Sequence, residues 1–281
     1  MVSRMGKYHI KYIRTTYIFR IIYLKYNFTF KKRVLNTDNM SLLSITIDYG
    51  PFGFLDSYNP SFVPNHSDDE GRYSYLNQPK IFKWNLARLA EALQPLLSTE
   101  EQKEAAAAIG RFDDIYQQQF ISIFRRKLGL SQATKEEDKL VQLLLDIMQQ
   151  RRADFTQTFR ELGDIRLENI ELTKEHWGLH SIITHPRFSE FIALYQKIVN
   201  ETGITDEERC EVMNRVNPRY VLRNWMAELA IRQAEKDDFH LTNLLFKVLR
   251  KPYEKDDEAE SLGFSNPPPD WACSLRVSCS S

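Results

Sequence analysis

Two hard oxygen donors stand close together near the start of this sequence, the side-chain amide of Asn39 and the carboxylate of Asp48. Oxygen ligands of this kind, one or two at a time and completed by phosphate oxygens and water, are what Mg²⁺ takes. A further carboxylate, Asp38, lies directly beside Asn39, where it can accept a proton from a hydroxyl. The chemistry these three residue types suit is transfer of a phosphate-bearing group assisted by a divalent cation.

An element must bring the two donors to one place. Between Asn36-Thr37-Asp38-Asn39-Met40 and Asp48-Tyr49-Gly50-Pro51-Phe52-Gly53-Phe54 runs Leu42, Leu43, Ile45 and Ile47, interleaved with Ser44 and Thr46. That apolar, partly β-branched run predicts a brief extended segment or hairpin carrying the ligands on its two ends. Protein kinases hold Mg²⁺ with an Asn of the catalytic loop and the Asp of an Asp-Phe-Gly segment, and place a catalytic Asp five residues before the Asn. Asp48-Tyr49-Gly50 matches the second of these with Tyr for Phe, whereas the position five before Asn39 is Val34, which accepts no proton. The base is therefore displaced to Asp38 or lost, and the expectation is transfer of a group other than the γ-phosphoryl, or of none at all.

At this point the residues carry a family likeness. Asn36 to Ser41, Thr46 to Phe54, Asn65-His66-Ser67-Asp68-Asp69, Gly71-Arg72-Tyr73-Ser74 and Asn77-Gln78-Pro79 resemble the selenoprotein O family. So do Asn217-Pro218-Arg219-Tyr220-Val221-Leu222-Arg223-Asn224, Pro269-Asp270-Trp271 and the closing Cys279-Ser280-Ser281. The resemblance runs from about Val34 to the C-terminus. It implies a kinase-like fold and a protein adenylyltransferase, with ATP as substrate and AMP passed to protein hydroxyls. It further implies Asp38 as proton acceptor, Asn39 and Asp48 as Mg²⁺ ligands with Asp48 also facing the nucleotide, and a mitochondrial location. The third residue from the end is selenocysteine in some relatives and Cys279 here, a redox candidate. Pro64 stands where many relatives have an activation-segment Cys, so Cys279 lacks that partner.

Upstream of Asn36 the only glycine is Gly6, and no Asp or Glu precedes Asp38. Neither a glycine-rich phosphate loop nor the Lys–Glu pair that positions ATP can form from that stretch, so weak ATP binding by this chain alone is the expectation. Residues 1–33 instead hold nine Lys or Arg among Tyr, Ile and Phe. A presequence, a membrane segment and a segment unrelated to the family compete as readings. Arg14, Arg20 and Lys25 leave no run able to span a bilayer, and the strand-favouring Tyr17-Ile18-Phe19 and Ile21-Ile22-Tyr23 suit a presequence poorly. The unrelated segment is the preferred reading.

Over the whole chain 38 basic residues balance 38 acidic ones, which gives no field to recruit nucleic acid, and three cysteines are too few for a disulfide scaffold. The composition predicts an intracellular protein without a transmembrane segment. Residues 55–79 read as an activation-like loop in which Asp68 and Asp69 serve turns and Arg72 pairs with one of them. Leu86, Leu89, Ala90 and Leu93 open the helical pattern. Next come a helix capped at Ser98 or Thr99 and running to Lys127, one capped by Thr134 with the stripe Leu140, Leu143, Leu144 and Ile147, and an apolar face of Phe155, Phe159 and Leu162. Helices near 189–199, 205–215, after Pro218 and at 239–250 follow. His176, His180 and His185 are read as ordinary histidines rather than zinc ligands, and Arg219 and Arg223 as partners of carboxylates rather than an anion site.

The expected architecture is mainly α, a helical kinase-like C-lobe with a small β element carrying the metal-binding motif. Its parts are an unassigned basic segment at 1–33, a metal-binding and activation-like segment at 34–80, the helical C-lobe at 81–251, and a flexible tail at 252–281. The competing functional readings are a non-catalytic helical interaction module and a redox-responsive fragment.

Overall fold

A computed structural model describes residues 53–275, Thr37, and the backbone of a two-residue strand, β1 (Lys31–Lys32). The described residues are mainly helical and divide into two compact units, 61–120 and 53–60 with 121–275.

In the first unit the loop 61–77 is closed by its own polar side chains. The Asp68 carboxylate accepts the backbone N–H groups of Arg72 at 3.0 Å and Tyr73 at 2.8 Å, and the Asn65 amide oxygen accepts that of Ser67 at 3.1 Å. This is the turn chemistry expected of the loop. Arg72 differs from expectation: its guanidinium lies 4.8 Å above the Trp84 ring, with Arg88 5.3 Å from the same ring. Because Asp68 is occupied by backbone donors, the exposed indole face is the better partner.

Helix α1 (Gln78–Leu93) begins with Pro79 in its first turn, where a missing N–H costs nothing. It buries Ile81, Phe82, Asn85 and Leu86, while Leu89, Ala90 and Leu93 are only half-covered. Helix α2 (Thr99–Gly110) is capped at Ser98, one of the two expected positions, and forms a capping box, the Ser98 hydroxyl taking the Glu101 N–H and the Glu101 carboxylate taking the Ser98 N–H. The single helix expected to run on to Lys127 is broken at Gly110-Arg111, and α3 (Phe112–Lys127) starts afresh. The break aims Phe112 inward. Its ring stacks 5.7 Å from Phe82 and 6.3 Å from Tyr116, and it is fully buried with Leu86 and Ile115. A straight helix through 99–127 would sacrifice this burial, worth about 1.5–3 kcal/mol for a large apolar side chain.

The second unit contains a two-residue strand, β2 (Gly53–Phe54), and the remaining helices. Helix α4 (Glu137–Arg151) begins two residues later than the Thr134 cap predicts. Its first turn carries Glu137, forked by Arg125 at 2.5 and 2.9 Å, and the Thr134 hydroxyl is buried without a partner among the described residues. That ion pair takes up the carboxylate that a capping box with Thr134 would need. The predicted stripe holds, since Leu140, Leu143, Leu144 and Ile147 are all buried.

Helix α5 (Phe155–Leu162) turns Phe155, Phe159 and Leu162 inward, with the Phe159 ring 5.0 Å from Phe155 and 5.6 Å from Phe124. Helices α6 (Trp177–Ile183) and α7 (Phe188–Thr202) pack on α4, and α8 (Asp206–Val216) carries a Thr205–Glu208 capping box. Helices α9 (Asn224–Ala234) and α10 (His240–Arg250) pair through Trp225, Met226, Ala230, Leu241, Leu244, Leu245 and Val248. Trp225 is core, as its spacing predicts, with its ring edge-on to Phe264 at 5.9 Å.

Over its first part, the stretch after Pro252 differs from the loose tail expected there. The acidic run contains a short helix, α11 (Asp257–Ser261), whose Ala259 is buried together with Phe264. Charge count alone hides this because one acidic side chain points inward. Glu260 is forked by Arg219 at 2.7 and 2.8 Å and accepts the hydroxyls of Tyr220 and Ser265.

Glu161, on α5, is buried with its carboxylate on the backbone N–H groups of Gly178 at 3.1 Å and Leu179 at 2.8 Å. Burial pushes its pKa up to about 8 against the downward pull of those two donors. A folded-state value above the ordinary 4.5 means this group favours folding most below pH 4.5, and that contribution is lost as pH rises through about 8. The urea midpoint measured from pH 5 to 9 is therefore expected to fall with pH, and Glu161→Gln to flatten that slope. An unchanged slope in the variant would remove Glu161 from the account.

Candidate functional site

Asp38, Asn39 and Asp48, like Cys279 at the other end, lie outside the described residues. What is visible is the way the chain that follows Asp48 is fastened. Gly53 comes five residues after Asp48, so the two Cα atoms are at most about 18 Å apart. From Gly53 onward the chain is pinned.

The pin is built around α5. Asp154 is its N-cap, with one carboxylate oxygen accepting the Gln157 N–H at 2.7 Å. The other oxygen accepts from Arg223 Nη1 at 2.7 Å, and the same nitrogen donates to Asp56 at 2.6 Å. Main-chain bonds run alongside: Phe155 N–H to the Asp56 carbonyl at 3.2 Å, and Tyr58 N–H to the Ala153 carbonyl at 2.7 Å, flanking an antiparallel bridge between Ser57 and Asp154. Leu55 is buried, and the Tyr58 ring lies 5.8 Å from Phe155. At Gly53 an added Cβ would stand 3.1 Å from the Asn224 amide, so the chain passes the side chain at the start of α9 closely and a larger residue would have to displace it by a few tenths of an ångström.

The three charged groups differ in exposure, and the difference decides their roles. The side chains of Arg223 and Asp154 are 1% and 3% exposed, that of Asp56 41%. Burial raises the Asp154 carboxyl above its ordinary range even though Arg223 pulls it down. Burial alone would depress Arg223, but the carboxylates of Asp154 and Asp56 carry its pKa well above the ordinary value. Arg223 Nη2 is buried and has no partner among the described residues, because both carboxylates crowd onto Nη1.

The segment that delivers Arg223 is laid against α5 by further side chains. The Gln157 amide donates to the Arg219 carbonyl at 3.0 Å, and Arg160 donates to the carbonyls of Asn214 and Asn217 at 2.9 and 3.1 Å. Asn217 in turn donates to the Lys127 carbonyl at 2.8 Å and accepts from the Lys127 ammonium at 3.1 Å. Burial lowers the Lys127 pKa to about 7.

Arg219 and Arg223 are thus spoken for by Glu260, Asp56 and Asp154, which agrees with carboxylate pairing and leaves no anion site between them. The histidines are local. His176 Nδ1 accepts the Thr173 N–H at 2.9 Å, His180 Nε2 meets the Thr173 carbonyl at 3.0 Å, and His185 Nε2 meets the Gln150 amide oxygen at 3.0 Å. Among the described residues no group of three or more His, Cys, Asp or Glu could hold a metal ion, and no helix is long and apolar enough to cross a membrane. Cys210 is half-buried with its thiol pKa raised by burial, and Cys273 is exposed.

Spacing did not single out Asp56 or Asp154. The signals available were an Asp two residues beyond Gly53-Phe54, and the helix-start pattern of an Asp immediately before Phe155. A comparison with family models matches residues 25–250 to one described as "Protein adenylyltransferase SelO". That span contains Asp38, Asn39 and Asp48 together with the whole Asp56, Asp154 and Arg223 cluster.

Proposed function

We propose, on the premise that this chain belongs to the protein adenylyltransferase SelO family, that it moves AMP from ATP onto Ser, Thr or Tyr hydroxyls of other proteins. The observation that carries the reading is the family match across both motif halves, joined to a chain pinned at Gly53 to Tyr58 directly after the second half. The helical body is then the C-terminal lobe of a kinase-like fold.

In the reaction, the acceptor hydroxyl attacks the α-phosphorus of ATP. A new O–P bond forms as the bond to the β-phosphate oxygen breaks, pyrophosphate leaves, and the hydroxyl proton passes to the Asp38 carboxylate. The Asn39 amide oxygen and the Asp48 carboxylate are hard donors fitted to Mg²⁺, which when bound offsets the charge on the phosphates. Asp48 would also hold the nucleotide through that ion. Cys279, free of a partner at Pro64, would be a thiol open to exchange.

The test is incubation of the chain with Mg²⁺, millimolar ATP and a generic protein acceptor, with label on either the α- or the γ-phosphate. Label from the α position is expected on the acceptor and none from the γ position. Asp48→Ala is expected to lose about 100-fold or more of the transfer, as for removal of a group that stabilises transferred charge. Transfer of γ-label, or an Asp48→Ala variant as active as the parent, would overturn the reading.

A further inference from the structure

We propose that Asp56 is a positioning residue for the adenylyl transfer, a hook that fixes the chain carrying Asp48 by fastening it to Arg223. The inference rests on the transfer reading for its catalytic consequence, and on geometry alone for the hook itself.

Electrostatics separates Asp56 from its partners. Arg223 is already neutralised by Asp154, and both are sealed from solvent. The core therefore has its buried charges matched without Asp56, whose carboxylate is two-fifths exposed and brings a second negative group to the same nitrogen. Nothing in the packing of α5 or α9 requires it. What it does hold is the strap from Gly53 to Tyr58, together with the two main-chain bonds at Phe155 and Tyr58. Only residues 49–52 separate Asp48 from the pinned Gly53, and Pro51 fixes one of their backbone dihedrals. With so few residues between them, slack introduced at Asp56 is expected to reach Asp48. Groups that orient a metal ligand from outside the coordination sphere typically alter metal affinity 10–100-fold when removed.

Asp56→Ala leaves the buried pair intact and is expected to fold, whereas Asp56→Asn keeps an oxygen that accepts from Arg223. In the full-length chain, the Mg²⁺ concentration for half-maximal AMP transfer is expected to rise about tenfold in Asp56→Ala, with Asp56→Asn intermediate. A purely structural role would lower the melting temperature without moving that concentration. An unchanged Mg²⁺ dependence in Asp56→Ala, alongside an inactive Asp48→Ala, would overturn the positioning role. Hydrogen exchange at the Tyr58 and Phe155 amides is read in the same variants. Faster exchange in Asp56→Ala supports the hook and unchanged exchange overturns it, even where Asp48→Ala proves as active as the parent and the transfer reading falls.

Discussion

Arg209→Met is expected to destabilise the second unit by about 3–5 kcal/mol, the range for removing one partner of a buried, hydrogen-bonded charge. The side chain is fully buried. Its Nε donates to Asp206 at 2.6 Å, Nη1 to the Leu162 carbonyl at 2.8 Å, Nη2 to the Ile165 carbonyl at 2.6 Å, and the guanidinium lies 5.5 Å from the Tyr195 ring. Leu162 is the last residue of α5, so its carbonyl has no acceptor role inside the helix and is served by Arg209 instead. Methionine fills much of the volume yet leaves the Leu162 carbonyl without a donor, the Ile165 carbonyl with only the weak Cys210 thiol, and Asp206 without its ion pair. Lysine restores the charge but lacks the fork, and is expected to recover less than half of the loss. The site has little room to relax: an added Cβ at Gly129, which has φ +66°, would lie 2.7 Å from the Arg209 carbonyl oxygen. Denaturation in urea measures the effect, and thermal melting is expected to drop by roughly 6–20 °C. A loss below about 1 kcal/mol would show that water replaces the guanidinium, contrary to this account.

Which of these features could be seen in advance follows from their range along the chain. Ser98 with Glu101, and Thr205 with Glu208, are reciprocal bonds across three residues, and the residue types alone announce them. Leu140, Leu143, Leu144 and Ile147 are legible for the same reason, as period and burial coincide on one helix. The break before Phe112 was not legible, because Gly110 is tolerated within helices and the aromatic partner that decides the matter, Phe82, lies thirty residues away. Thr134 failed as a cap because Glu137 is claimed by Arg125, and Arg72 left Asp68 because an indole face was near. Local pattern proposes such partners, and tertiary neighbours overrule them. At the candidate site the balance was similar. Oxygen chemistry nominates Asn39 and Asp48, which lie outside the described residues, whereas Asp56 and Arg223 meet across 167 positions, and no spacing rule reaches that far.

Arg223→Met should be about as costly as the loss of Arg209, and its pH dependence distinguishes the cause. Removing the guanidinium strands Asp154, whose other oxygen caps α5, as a buried carboxylate with no counter-charge, a situation worth about 3–5 kcal/mol. Its carboxyl pKa is already raised by burial despite Arg223, and without Arg223 only the Gln157 N–H is left to oppose the shift. For a carboxyl raised above its unfolded value of 3.8, the protonated form favours the folded state. That contribution is complete below 3.8 and is lost as pH rises through the folded value, so the deficit of Arg223→Met is expected to be largest at neutral pH and to shrink on acidification. Adding Asp154→Asn removes the stranded charge while an amide oxygen still caps the helix, since Asn and Asp serve equally as N-caps. The double variant is therefore expected to be more stable at neutral pH than Arg223→Met alone, by more than about 1 kcal/mol, the non-additivity typical of groups in direct contact. Additive losses that do not vary with pH would mean that Arg223 acts by packing, and the hook at Asp56 would then hang on shape rather than charge.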